Sequence, residues 1–147
     1  MKKLILLLAC VFSFQVSRAD NDKPVQFEQL PTAAQQFVKQ NFPNAKVAFA
    51  KMETKLFGAT YDVVFINGDN LEFDKQGQWT EVNCRHLTVP ADIVPAQIKT
   101  FVETNYPGVS YLSIERDRDS YEVRLSNFWE IKFDKNFNVI DMDSDDD

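Results

Sequence analysis

The sequence predicts an α+β fold: a tandem duplication of a unit made of one helix and four antiparallel strands. This gives about eight strands, with the helices on one face and the other face open. Three observations carry the prediction. The stretch from Tyr61 to Lys75 returns at Tyr121 to Lys135, with every position 60 residues later. Between 61–78 and 121–138, six of eighteen pairs are identical, too many for coincidence in so short a chain. A helix signal, Phe37, Val38, Asn41 and Pro43, returns as Phe101, Val102, Asn105 and Pro107 at an offset of 64. Finally, Tyr61, Val63 and Phe65 alternate with residues of the opposite face between hairpin-length connections, the mark of half-buried antiparallel strands.

The chain opens with residues that read as an export signal rather than as part of the fold. Met1-Lys2-Lys3 is basic, Leu4–Phe14 is apolar apart from Ser13, and Ser17-Arg18-Ala19 offers small residues for cleavage after Ala19. The apolar run is too short for a membrane span. Leu7-Leu8-Ala9-Cys10 also has the form of a lipoprotein cleavage box, an alternative that would leave a lipid on Cys10. Residues 20–29 are polar, contain Pro24 and are expected to be a flexible leader.

The first repeat is assigned to residues 30–84. Thr32 and Gln35 have capping-box spacing, Ala34, Phe37, Val38 and Asn41 share one helical face, and Pro43 disfavours helical geometry at Phe42. Ala45–Glu53 reads as a strand, Lys55–Ala59 as a hairpin loop, and Tyr61–Phe65 as the next strand. Asn67-Gly68 is a strong turn signal, Asn70–Asp74 returns, Gln76-Gly77 turns again, and Gln78–Cys84 closes the unit. Val89-Pro90 and Val94-Pro95 punctuate the linker, and the second repeat occupies 89–143. The offset falls from 64 to 60 because the first copy carries four extra residues at the Lys55–Thr60 loop, where the second has the charged Arg116-Asp117-Arg118-Asp119. Residues 144–147 form an acidic tail.

The totals bound the function. The 147 residues are 44% hydrophobic and 26% charged, with thirteen Phe, so a substantial core can form. Loss of Lys2, Lys3 and Arg18 with the signal leaves 13 of the 16 basic residues against 22 acidic ones, a formal charge of −9. Such a surface repels nucleic acid and anionic lipid. Loss of Cys10 leaves Cys84 without a partner for an intramolecular disulfide.

The Leu-Pro…Phe-Val-x-x-Asn-Phe-Pro helix, the Tyr-x-Val…Asn-Gly…x-Glu-Phe-Asp hairpin and the Trp-x-x-Val strand resemble the PepSY-like family of small exported bacterial proteins. That family is also described as β-lactamase-inhibitor-protein-like. The resemblance covers roughly residues 27–143. It implies the tandem helix-plus-four-strand fold and periplasmic or secreted placement. It implies no particular activity, since fold does not carry function.

If Tyr61, Val63 and Phe65 face the helices, then Asp62, Val64 and Ile66 face outward. With Thr80, Val82, Cys84, Ile140 and Met142 inward, the open face carries Val64, Ile66, Glu72, Trp79 and Glu81 in the first copy. In the second it carries Glu122, Arg124, Glu130 and Lys132. Apolar residues beside charges form a binding surface for a protein or peptide; the alternative is that Val64 and Ile66 pack beneath the leader or linker. Trp79 and Trp129 have no Trp counterpart, their partners being Val139 and Asp69. They are either recognition anchors or caps on the core.

Cys84 and His86, two apart, are tested as a nucleophile pair, with a buried thiol and a surface imidazole as the alternative. Cys and His are too few for zinc. Asp141, Asp143, Asp145, Asp146 and Asp147 are weak calcium candidates, lacking the central Gly and terminal Glu of an EF-hand loop. No cofactor motif appears. The reading is an exported non-catalytic binding module, inhibitor-like in form; its alternatives are a calcium-responsive envelope protein and, third, Cys84/His86 chemistry.

Overall fold

A computed structural model describes residues 22–144. The elements are β1 (Asp22–Val25), a 3-10 turn (Phe27–Gln29), α1 (Thr32–Asn41), β2 (Val47–Lys55), β3 (Gly58–Phe65), β4 (Asn70–Phe73) and β5 (Trp79–Asn83). A second 3-10 turn (Ala91–Ile93) then leads into α2 (Ala96–Asn105), β6 (Tyr111–Arg116), β7 (Ser120–Leu125), β8 (Trp129–Asp134) and β9 (Val139–Ser144). All strands pair antiparallel in sequence order to form one nine-stranded sheet. The two halves join where β5 pairs β6 through Glu81↔Glu115, Val82↔Ile114 and Asn83↔Ser113.

The ninth strand comes from the stretch expected as a flexible leader. Asp-Lys-Pro-Val has no apolar alternation, yet Asp22–Val25 pairs with Ala50–Glu53 along the sheet edge. Proline is tolerated on an edge strand, where one side of the backbone needs no ladder partner.

Both helices stop where Pro43 and Pro107 dictate: Phe42 and Tyr106 leave helical geometry at φ −133° and −137°. The expected Thr32–Gln35 capping box does not form. Pro31 is the N-cap, and Gln35 Nε2 instead donates to the carbonyls of Leu30 (2.8 Å) and Glu28 (3.1 Å), fastening the 3-10 turn to α1. Ala34 and Val38 of α1, with Ile98 and Val102 of α2, are buried on the sheet.

The core is a layer between the two helices and one sheet face. One row crosses the whole sheet: Val25, Ala50, Val63, Leu71, Val82, Ile114, Val123, Ile131 and Met142 are successive cross-strand partners. From Ala50 to Ile131 it is buried. Each such side chain contributes about 1.5–3 kcal/mol on burial if Val-sized or larger. Phe37 meets Phe73 edge-on at 5.5 Å and 81°, and Phe101 meets Phe133 at 5.5 Å and 87°.

The halves correspond in detail. Register shifts fall between Val47 and Phe49 and between Tyr111 and Ser113, and again between Glu72 and Phe73 and between Lys132 and Phe133. Asp74 Oδ1 accepts from the backbone of Gln76 and Gln78, as Asp134 Oδ1 does from Asn136 and Asn138. Gly77 and Phe137 hold the matching position of positive φ, at 86° and 65°. Only glycine fits at 77, because a Cβ there would lie 2.9 Å from the Ala34 nitrogen and from Pro31 Cβ at the start of α1.

Candidate functional site

Side chains alternate along a strand, so the buried row fixes what its neighbours do. One position along, on the face turned away from the helices, Lys51, Asp62, Glu72, Glu81, Glu115, Glu122, Lys132 and Asp141 are successive cross-strand partners. Asp62, Glu72, Glu81, Glu115 and Glu122 thus form an unbroken line of carboxylates over five neighbouring strands, spaced about 4.8 Å apart by the sheet itself. A lysine ends the line on each side. The next row on this face runs Phe49, Val64, Asn70, Asn83, Ser113, Arg124, Glu130 and Asp143.

Like charges directly opposite one another destabilise a sheet, and the carboxylates register it. Burial, then the Glu72 charge, pushes the Asp62 carboxyl above its ordinary range; Lys51, 3.8 Å away, pulls the other way. Glu81 is raised by burial and then by Glu72 and Asp62. Glu115 is raised by burial and then by Asp117, Glu81, Glu122 and Glu72. Thr80 Oγ1 donates to Glu72 Oε1 at 2.7 Å. At the edge, Lys51 bonds Asp22 at 3.2 Å, and that bond is the main reason its ammonium is held above the usual lysine range. Arg124 and Glu130 approach to 3.9 Å.

Most of the expected site residues lie on this face. Glu72, Glu81, Glu122 and Lys132 are in the carboxylate row, and Val64 and Arg124 in the next. Ile66, 68% exposed, follows the end of β3 and borders a cavity of about 620 Å³ shared with Phe42, Phe65, Leu87 and Pro90. Trp79 is a correction: it faces the core and is 9% exposed. The irregularity between Glu72 and Phe73 sets Phe73 opposite Trp79 while Glu72 opposes Glu81, so Trp79 turns inward and Thr80 outward. The Arg116 guanidinium lies 4.0 Å over the Trp79 ring, and its Nε donates to the Trp79 carbonyl at 2.6 Å. The matching irregularity leaves Ile140 56% exposed, against the inward orientation expected; Met142 does oppose buried Ile131. Trp129 stacks on Tyr106 at 6.3 Å and packs against the core.

Cys84 and His86 are not brought together. β5 ends at Asn83, Cys84 is buried and His86 is exposed. Burial, with the Asp69 charge, pushes the Cys84 thiol up to about 12, so at neutral pH it carries almost no thiolate. Asp69, the partner of Trp129 in the sequence repeat, is fully buried. Its carboxylate accepts from the backbone of Arg85 (2.7 Å), His86 (3.1 Å) and Leu87 (3.3 Å), pinning the start of the linker. Asp141 and Asp143 are exposed on β9 opposite Lys132 and Glu130, and Asp145 lies outside the described residues. Among the described residues no three acidic, Cys or His side chains converge on one ion position.

Lys51, Asp62, Glu115 and Phe49 complete this face and were missing from the expected site. Asp62 was legible as outward from its strand alternation. Glu115 needed the β5–β6 register, and Phe49 is displaced by the irregularity in β2.

A family model described as beta-lactamase-inhibitor-like, PepSY-like, matches residues 18–55 and 59–141. A periplasmic protein from Bacteroides vulgatus is 61% identical; the alignment covers 86% of this chain and 99% of that one, with a TM-score of 0.83. A protein from Bacteroides thetaiotaomicron, provisionally named a calcium-regulated periplasmic protein, is 54% identical over 86% and 99%, with a TM-score of 0.81. A second Bacteroides vulgatus structure, a periplasmic protein of unknown function, is 34% identical over 84% and 99%, with a TM-score of 0.78. No curated protein matches the sequence. Among the described residues no helix is long and apolar enough to cross a membrane.

Proposed function

The chain belongs to the PepSY-like, beta-lactamase-inhibitor-like family of periplasmic proteins, and from that premise we propose that it is a non-catalytic binding module whose open sheet face receives a basic segment of a protein or peptide partner. The observation that carries this reading is the line Asp62–Glu72–Glu81–Glu115–Glu122. Lining up like charges weakens the fold, and cationic side chains laid along the line would relieve it while Phe49, Val64 and Ile66 supply apolar contact at one end. Inhibition of an envelope enzyme is the form of binding that the family description favours.

The test compares the native protein with a variant carrying Glu72→Gln, Glu81→Gln and Glu115→Gln in capture from envelope extract. A partner held by the native protein, released by salt and absent from the variant is the expected result. Equal capture by both would overturn the reading.

The matched helix stops, register shifts and Asx turns support descent of both halves from one helix-plus-four-strand unit, with repeats at 30–84 and 89–143. A second reading, calcium responsiveness, is favoured by the name of the relative that is 54% identical and by Asp141 and Asp143 on β9, at the end of the open face. It predicts a melting temperature raised by millimolar calcium and not by equal ionic strength of sodium; an unchanged value would remove it.

A further inference from the structure

The β2–β3 hairpin ends in Leu56 and Phe57, which are 90% and 91% exposed. Its last rungs, Thr54↔Ala59 and Lys55↔Gly58, extend past the point where β3 meets β4 at Tyr61↔Phe73, so the tip stands clear as a finger. A recess of about 440 Å³ separates it from the Asp74–Gln76 turn. The corresponding β6–β7 hairpin is shorter and carries Asp117, Arg118 and Asp119 at its tip. The family match covers residues 18–55 and 59–141, so Leu56–Gly58 lies outside the matched residues. Two such exposed large apolar side chains at a hairpin tip do nothing for the core.

Two further facts identify what they meet. The chain enters the sheet at Asp22, opposite Glu53 and therefore at the finger's end. Lys55 and Lys75 stand beside the tip, Lys75 with its Cδ against Gly58, while β9 ends at Ser144 opposite Trp129, at the other end of the sheet. One end of the sheet thus combines an apolar tip, two lysines and the entry of the chain at Asp22.

We propose that the Leu56–Phe57 finger inserts into the interfacial layer of an anionic lipid bilayer. Leu56 and Phe57 enter the acyl boundary, Lys55 and Lys75 meet headgroup phosphates, and the carboxylate face stays free for its partner. Overall negative charge opposes adsorption of the body, so contact is confined to the tip.

The experiment is flotation of the chain from Asp20 onward, which contains all nine strands and both helices, with vesicles of phosphatidylethanolamine and phosphatidylglycerol. The native protein is expected to float, and Leu56→Ser with Phe57→Ser to cut the bound fraction about tenfold. Because both side chains are solvent-exposed, the double variant should keep the native melting temperature. Lys75→Glu should weaken flotation most at low salt. Failure of the native protein to float, or equal flotation of the double variant, would overturn the proposal. So would a concentration-dependent dimer lost in that variant, which would assign the tip to a second copy. Glu72→Gln, Glu81→Gln, Glu115→Gln should float like the native protein, so this test and the open-face test fail independently.

Discussion

Phe128 and Phe137 are the two described non-glycine residues at positive φ, 69° and 65°, and they occupy the positions that Gly68 and Gly77 fill in the first half. A left-handed backbone costs an L-residue about 1–2 kcal/mol. What offsets that cost differs between them. Phe137 stacks on Tyr121 at 5.3 Å and 24°, whereas Phe128 is 51% exposed. Phe128→Gly is therefore expected to stabilise the protein by about 0.5–1 kcal/mol, the strain relieved outweighing the half-burial lost. Phe137→Gly, which relieves the same strain but removes the stack, should be neutral or destabilising. Urea midpoints of the two variants check the pair. Equal effects would mean that the ring contacts, not the backbone, decide both positions.

At the scale of the element, the chain announces its strands and helix ends but hides its irregularities. Tyr61, Val63 and Phe65 alternate without interruption, Asn67-Gly68 turns as expected, and Pro43 and Pro107 stop both helices. These signals are local, so one sequence carries them. The register shift at Phe73 and Trp79 is a relation between two strands, and a one-residue slip reverses the side of every residue beyond it. That is why Trp79 read as a surface anchor. β1 was invisible because an edge strand of polar residues takes its order from β2 rather than from its own pattern. Half of the candidate site was legible, the half that follows from alternation within a strand. Trp79→Ala is accordingly expected to cost about 3–5 kcal/mol, as for other buried aromatics. It should leave the affinity of the folded fraction for the proposed partner unchanged. Arg116→Ala, which loses the ring contact and the bond to the Trp79 carbonyl, should cost about 1–3 kcal/mol. Chemical denaturation gives both values. A folded Trp79→Ala protein of native stability that fails to bind would return this residue to the surface.

The carboxylate line belongs to no single element; it exists because β5 pairs with β6 and makes one sheet of two halves. Its effect on the whole molecule can be read from stability against pH. Asp62, Glu81 and Glu115 are all raised above ordinary values of 3.8 for Asp and 4.5 for Glu, first by burial and then by one another and their neighbours. In the window between the ordinary and the raised values the folded protein holds more protons than the unfolded chain, so stability falls as pH rises. The stabilisation is complete below the ordinary values and lost above the raised ones. Asp134 runs the other way, held low chiefly by the bond from the Asn138 backbone, and its contribution disappears only on acidification past the ordinary carboxylate range. The melting temperature is therefore expected to rise as pH falls from neutrality toward the ordinary glutamate value of 4.5. Glu72→Gln, Glu81→Gln, Glu115→Gln removes all four like-charge contacts of the line. At about 0.2–1 kcal/mol each, it should raise stability at neutral pH by about 1–4 kcal/mol and flatten the slope. Protons would compete with the proposed cationic partner for the same carboxylates, so its affinity should weaken over the very interval in which the unbound protein becomes more stable. A melting temperature that stays level from neutrality down to the ordinary glutamate value of 4.5, or affinity that strengthens on acidification, would separate the line from both stability and binding.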